Sequence, residues 1–146
     1  MKTFQFLLVL ILVVASSKQS IAQEVVIQDG PIITFKNEVH DYGIIEYGAD
    51  GTCFFLFTNT GNAPLIISTV KNSCGCIVPA WPKEPISPGE TEQIKVRYHT
   101  GRTGRINKSL TVISNAVNTP AVRIRIIGEV LPKPVQVEDV ITNPTN

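Results

Sequence analysis

From Gln23 onward, apolar residues do not recur at helical spacing over any long window. They come instead in short β-branched and aromatic runs, separated by clusters of Gly, Pro, Asn and Ser. Period-two alternation is clearest over 53–58, where Cys53, Phe55 and Phe57 share one face and Phe54, Leu56 and Thr58 the other. The segment 92–98 places Ile94, Val96 and Tyr98 on one side and Lys95 and Arg97 on the other, the pattern of a half-buried antiparallel strand. Val122, Ile124 and Ile126 alternate in the same way with Arg123 and Arg125. Further strands are expected at 32–35 and 39–45, together forming a first edge, and at 64–70 and 105–114. Tyr47-Gly-Ala-Asp-Gly51, Asn59-Thr-Gly-Asn62, Ser87-Pro-Gly-Glu90, Thr100-Gly-Arg-Thr-Gly104 and 115–119 supply the turns. The four prolines of 79–90 mark that stretch as a connection rather than a strand.

About seven short strands at near-regular spacing predict an all-β chain: an immunoglobulin-like antiparallel β-sandwich over 32–130. A closed barrel is the competing arrangement. The antibody-type Cys…Trp…Cys core pattern is missing, since Trp81 follows both paired cysteines and Cys53 has no obvious partner across the sheets. Residues 23–31 form a lead-in. Residues 131–146, with three prolines, two acids and no strong period, read as a mobile tail.

The first 22 residues change the setting in which this domain is read. Lys2 gives a short positive region, 6–15 is unbroken apolar sequence, and Ser20-Ile21-Ala22 is the small-x-small pattern before a signal-peptidase cut at Gln23. A membrane anchor needs about 20 apolar residues, roughly twice what is present. The first cysteine is Cys53, so there is no lipid-modified cysteine near the cut. The expectation is a periplasmic or secreted protein with no transmembrane segment after cleavage. Removing 22 of the 146 residues leaves 124, one domain's worth. Lys2 and Lys18 leave with the signal and no acid does, so the net charge of +1 becomes −1. Such a chain offers no electrostatic attraction to nucleic acid.

Export also gives meaning to Cys74-Gly75-Cys76, because cysteines in an oxidising compartment are bridged, metal-bound or reactive. In an extended strand their Cα atoms would lie about 6.6 Å apart, near the upper limit for a disulfide. A bridge therefore needs a kinked chain, and Gly75 is expected to permit the unusual φ of that kink. So small a loop gains only about 1.6 kcal/mol from chain entropy, which makes it a poor staple. Sandwich topology would gather Cys74, Cys76, Arg102 and His99 at one end of the domain. Cationic neighbours favour thiolate, the form that reacts or binds a soft ion such as Cu(I). Three readings stay open for the pair: a structural loop with a disulfide or inert thiols, a redox site, and a metal site.

Other residues carry less. Cys53 fits a small buried hydrophobe. His40-Asp41 resembles half of a catalytic relay, but no Ser stands in a nucleophile-elbow context, and a turn-stabilising pair is the simpler reading. Arg97, Arg102, Arg105, Lys108, Arg123 and Arg125 are interleaved with Glu90, Glu92 and Glu129, as on a solvated sheet face. There is no phosphate loop, zinc-protease motif or meaningful carboxylate pair. No catalytic residue and no cofactor is assigned.

His40-Asp-Tyr-Gly43, Phe55-Leu-Phe-Thr-Asn-Thr-Gly-Asn-Ala-Pro-Leu-Ile-Ile67, Ser73-Cys-Gly-Cys76, Pro79-Ala-Trp-Pro82, Pro88-Gly-Glu90, Gly101-Arg-Thr-Gly104 and Ile127-Gly-Glu-Val130 occur in that order. Together they resemble the bacterial domain-of-unknown-function family number 1573, over about 35–130. A wider likeness, through Asn-Thr-Gly, Pro-Gly-Glu and the closing Gly-Glu, is to major-sperm-protein-like and Hydin-like modules. The resemblance implies an immunoglobulin-like sandwich and no established reaction; Tyr42 stands where the family usually shows Phe. The expected function is a non-enzymatic module of the bacterial envelope that binds or positions other envelope or secreted proteins. The alternative is a thiol-redox or copper-handling protein that uses Cys74 and Cys76.

Overall fold

In the computed structural model, residues 29–135 are described. The signal segment 1–22, most of the lead-in and the tail from 136 onward lie outside the described residues. Eight strands form: β1 (Ile33–Phe35), β2 (Val39–Ile45), β3 (Thr52–Asn59), β4 (Ile67–Asn72), β5 (Ile77–Ala80), β6 (Thr91–Tyr98), β7 (Gly104–Ser114) and β8 (Ala121–Val130). They build two four-stranded sheets, β1-β3-β6-β5 and β2-β8-β7-β4. Among the described residues no helix is long and apolar enough to cross a membrane.

Alternation decides which side of each strand faces the other sheet. Phe55 and Phe57 are 2% and 1% exposed while Phe54 is 49% exposed, so the 53–58 segment has the expected register. Ile94 and Val96 of β6 lie opposite Phe55 and Cys53 in the same sheet, and Ile106, Leu110, Val112, Ile124 and Ile126 close the core from the other. These side chains come from sequence-distant strands and bury each other completely, which is what holds the two layers together.

The expected first edge is in fact two edges. β1 pairs antiparallel with β3, with Ile33 opposite Asn59, whereas β2 pairs in parallel with β8, with Val39 opposite Arg125. The chain switches sheets between Phe35 and Val39, so one continuous segment lines the same side of both layers. The sandwich is therefore not wholly antiparallel. The eighth strand, β5, is not expected from the sequence, and it takes its last two residues, Pro79 and Ala80, from the stretch expected to be a connection. It pairs with β6 as an outer strand, where Pro79 is tolerated because an edge position can dispense with an N–H. The strand expected at 64–70 forms later, at Ile67–Asn72, and Leu65 instead makes an isolated bridge to Ile86.

Asn59 joins the strands to their loops. Its side chain is fully buried, donates to the carbonyls of Ala63 at 2.8 Å and Ile86 at 2.9 Å, and accepts from the N–H of Gly61 at 3.1 Å. Buried amides are stable only when paired in this way. The bond to Ile86 anchors the proline-rich stretch that has no ladder of its own.

Candidate functional site

The corner between β4 and β5 is where the chain leaves one sheet for the other, and it contains the cysteine pair. Cys74 and Cys76 form a disulfide with Cα atoms 5.3 Å apart, shorter than two residues of extended chain, so the backbone is kinked there. The kink does not use the left-handed conformation expected of Gly75, which is absent from the glycines with positive φ. Three hydrogen bonds hold the corner instead. Asn72 Nδ2 donates to the Ile77 carbonyl at 2.7 Å, Ser73 Oγ donates to the Ser109 carbonyl at 3.4 Å, and the His99 N–H donates to the Cys76 carbonyl at 2.9 Å. The last of these sets the disulfide turn against the end of β6.

Beyond Tyr98 the chain turns through His99, Gly101 and Arg102 before entering β7. The His99 imidazole folds back over Gly101: a Cβ there would come within 2.8 Å of Cε1. Between this loop and the disulfide turn lies a hollow of about 400 Å³, lined by Gly75, Cys76, Val78, Arg97, His99 and Arg102. Among the described residues no carboxylate lines it. Cys76 is buried and Cys74 only partly so; Val78, opposite Arg97 in the β5–β6 ladder, is 66% exposed. The structure thus brings Cys76, His99 and Arg102 around one hollow and leaves Cys74 outside its lining. In the sequence Arg97 reads as part of a solvated sheet face, and Val78 carries no expectation of a site. They could be found only from the β5–β6 register, which the prolines obscured.

Two guanidinium groups and an imidazole line this hollow and suit it to an anionic group, with Val78 providing an apolar side. Asp50, outside the lining, is held below its usual pKa by its hydrogen bonds from Thr52 and then by the charge of Arg97, so Arg102 is the cation less compensated. Another hollow, beside β2 and β8, places Arg105 and Arg125 with Asp41 and Glu129, so its charges are opposed. Among the described residues, no group of three His, Cys, Asp or Glu side chains could hold a metal ion. With Cys74 and Cys76 joined, a soft ion could be taken up by two thiolates only after reduction.

The remaining candidates fall elsewhere. His40 packs edge-on against Tyr42 with ring centroids 4.6 Å apart, and Asp41 accepts from the Gly43 N–H at 2.8 Å. They stabilise the β2 bulge and do not form a relay. Cys53 is buried in the core beside Tyr42, whose hydroxyl donates to the Gly51 carbonyl at 2.7 Å. Burial pushes the Cys53 thiol up from its ordinary pKa, and burial followed by the Cys53 contact does the same to the Tyr42 phenol.

A family model described as "Protein of unknown function (DUF1573)" matches residues 33–130. No curated protein matches the sequence. Among solved structures, the chain is similar to a protein of unknown function from Porphyromonas gingivalis W83, with a TM-score of 0.61 and 17% identity over 73% of this chain and 50% of that one. The VesB protease of Vibrio cholerae gives 0.58 and 15% identity over 66% and 31% of the two chains. PapD-like domain 7 of human CEP192 gives 0.54 and 10% identity over 70% and 87%. This chain therefore spans half the length of the Porphyromonas protein and less than a third of the protease. At these identities the likeness shows the fold alone, an immunoglobulin- and PapD-like sandwich.

Proposed function

This chain belongs to the DUF1573 family, and from that premise we propose that it is an exported, non-enzymatic binding module that docks an acidic segment of another envelope or secreted protein. The observation that carries this reading is the hollow under the disulfide turn, where Arg97, His99 and Arg102 converge with no carboxylate among the lining residues. A carboxylate entering it meets guanidinium forks that can each donate two hydrogen bonds, while Val78 offers contact to an apolar neighbour on the same segment. Export rests on the signal pattern of 1–22.

Two measurements test the reading. Titration with a fluorescent Glu-rich peptide, and with a Lys-rich peptide of equal length, should give binding of the acidic one only. That binding should weaken at least tenfold in Arg97→Gln and in Arg102→Gln. Equal binding of both peptides, or no effect of either substitution, removes the hollow as the docking site. N-terminal mass mapping of the protein from its native cells should find Gln23 at or within a residue or two of the start, and an intact Met1 overturns export.

A further inference from the structure

We propose that the Cys74–Cys76 disulfide is a thiol-capture site for thiols flanked by carboxylates, going beyond the docking reading because it assigns covalent chemistry to the turn. Three observations meet there. The bond closes a loop of only three residues, so chain entropy does little to protect it against exchange. It lies on a turn where Gly75 is exposed and Cys74 partly exposed, while Cys76 is buried. And Cys76 lines the hollow with Arg97, His99 and Arg102, whereas Cys74 does not.

This asymmetry gives the two sulfurs different roles. The incoming thiol loses its proton to solvent, and its thiolate attacks Sγ of Cys74, the less buried cysteine of the pair although it packs against the core. A sulfur–sulfur bond forms between them as the Cys74–Cys76 bond breaks. The electron pair of the broken bond leaves on Cys76 Sγ, and the neighbouring guanidinium groups stabilise that thiolate. The incoming sulfur is oxidised to the disulfide level and Cys76 is reduced, so the exchange balances without another reagent. Return attack by Cys76 on Cys74 expels the captured thiol, which makes capture reversible. The same cations attract a thiol carrying carboxylates and repel one carrying an ammonium group. Carboxylate-bearing small thiols and cysteines within acidic peptides share this chemistry.

The test uses the oxidised mature protein with 3-mercaptopropionate, 2-mercaptoethanol and cysteamine, which are of similar size and differ in charge. Rates are referred to thiolate concentration and divided by those of the same thiols with an uncharged reference disulfide, which removes the dependence of nucleophilicity on thiol basicity. At low ionic strength the anionic thiol should react about tenfold or more faster than the cationic one, with the neutral one between. The preference should collapse at about 1 M salt, where the Debye length is about 3 Å. It should also fall in Arg97→Gln and Arg102→Gln. Quenching with iodoacetamide and peptide mapping should place the mixed disulfide on Cys74 and the alkyl group on Cys76. Running a Glu-Cys-Glu peptide beside mercaptopropionate separates the two sources of ligand. Equal rates for the three thiols, or adducts chiefly on Cys76, overturn the proposal. Because these thiols are small, that failure would stand apart from any failure of the acidic peptide without cysteine to bind.

Discussion

The side-chain amide of Asn59 donates to the main-chain carbonyl of Ile86 at 2.9 Å inside a site with no exposure to solvent. The bond joins the end of β3 to a stretch that reaches β6 without strand pairing of its own beyond the Leu65–Ile86 bridge. Asn59→Ala takes a partner from the part-buried Ala63 carbonyl and Gly61 N–H and removes the tie to the Ile86 carbonyl, which keeps only its bond from the Leu65 N–H. The expected loss is about 2–4 kcal/mol by chemical denaturation. Asn115 makes comparable bonds to Ile66 and Pro64 at the surface, where water can replace them, and Asn115→Ala should cost less than about 1 kcal/mol.

The alternation of β3 gives a second expectation. Phe55→Ala and Phe57→Ala each open a cavity in the core and should cost about 3–5 kcal/mol. Phe54→Ala removes a half-exposed ring and should cost clearly less. Urea midpoints at unchanged m-value would show this order directly.

Why that register was legible while the neighbouring features were not is a matter of range. The faces of 53–58 follow from a local two-residue period, and burial of one face is all that the sandwich requires of them. The partner of a strand is not local: nothing within 39–45 says that it will lie parallel to β8. Pro79 suppressed β5 because proline weakens a strand signal, although an edge strand can hold one. For the site, turn order alone placed Cys76, His99 and Arg102 at one end. Adding Arg97 and Val78 required knowing that β5 exists and that Val78 faces Arg97.

Glycine substitutions separate close approach from mere presence in a turn. A Cβ on Gly61 would overlap the Gly30 carbonyl oxygen and crowd the Ile32 N–H, both rigid backbone. Gly61→Ala should destabilise by about 1–3 kcal/mol. Gly75 has nothing within 4 Å of such a Cβ and does not use positive φ. Gly75→Ala should therefore fall within about 0.5 kcal/mol of the parent, with the disulfide still formed. Thermal unfolding of both variants, with thiol counting for Gly75→Ala, checks the contrast.

Burial raises the Cys53 pKa in the folded protein, so the unfolded chain loses that proton first as pH rises. Stability from this group is complete below about pH 8.5, the ordinary thiol value, and declines above it as unfolded Cys53 ionises. The Tyr42 phenol, also raised, adds to the decline above about pH 10. Cys53→Ala should remove the earlier part of the slope while lowering stability overall. Denaturant unfolding between pH 7 and 10 in the two proteins measures it, and parallel curves would mean that Cys53 does not contribute.

Reducing the turn should leave the sandwich standing. A three-residue loop restricts the unfolded chain by only about 1.6 kcal/mol, and the Asn72–Ile77 and His99–Cys76 hydrogen bonds hold the corner without the sulfur bridge. Cys74→Ala combined with Cys76→Ala should therefore cost no more than about 2 kcal/mol and leave the far-UV circular dichroism unchanged. A loss well beyond that would make the bond a staple of the fold. It would also place it among bonds selected for permanence, since a bridge on which the fold depends is a poor choice for exchange. A small loss instead leaves the bond free to open and close while Phe55, Phe57 and the opposing strand β8 keep their places.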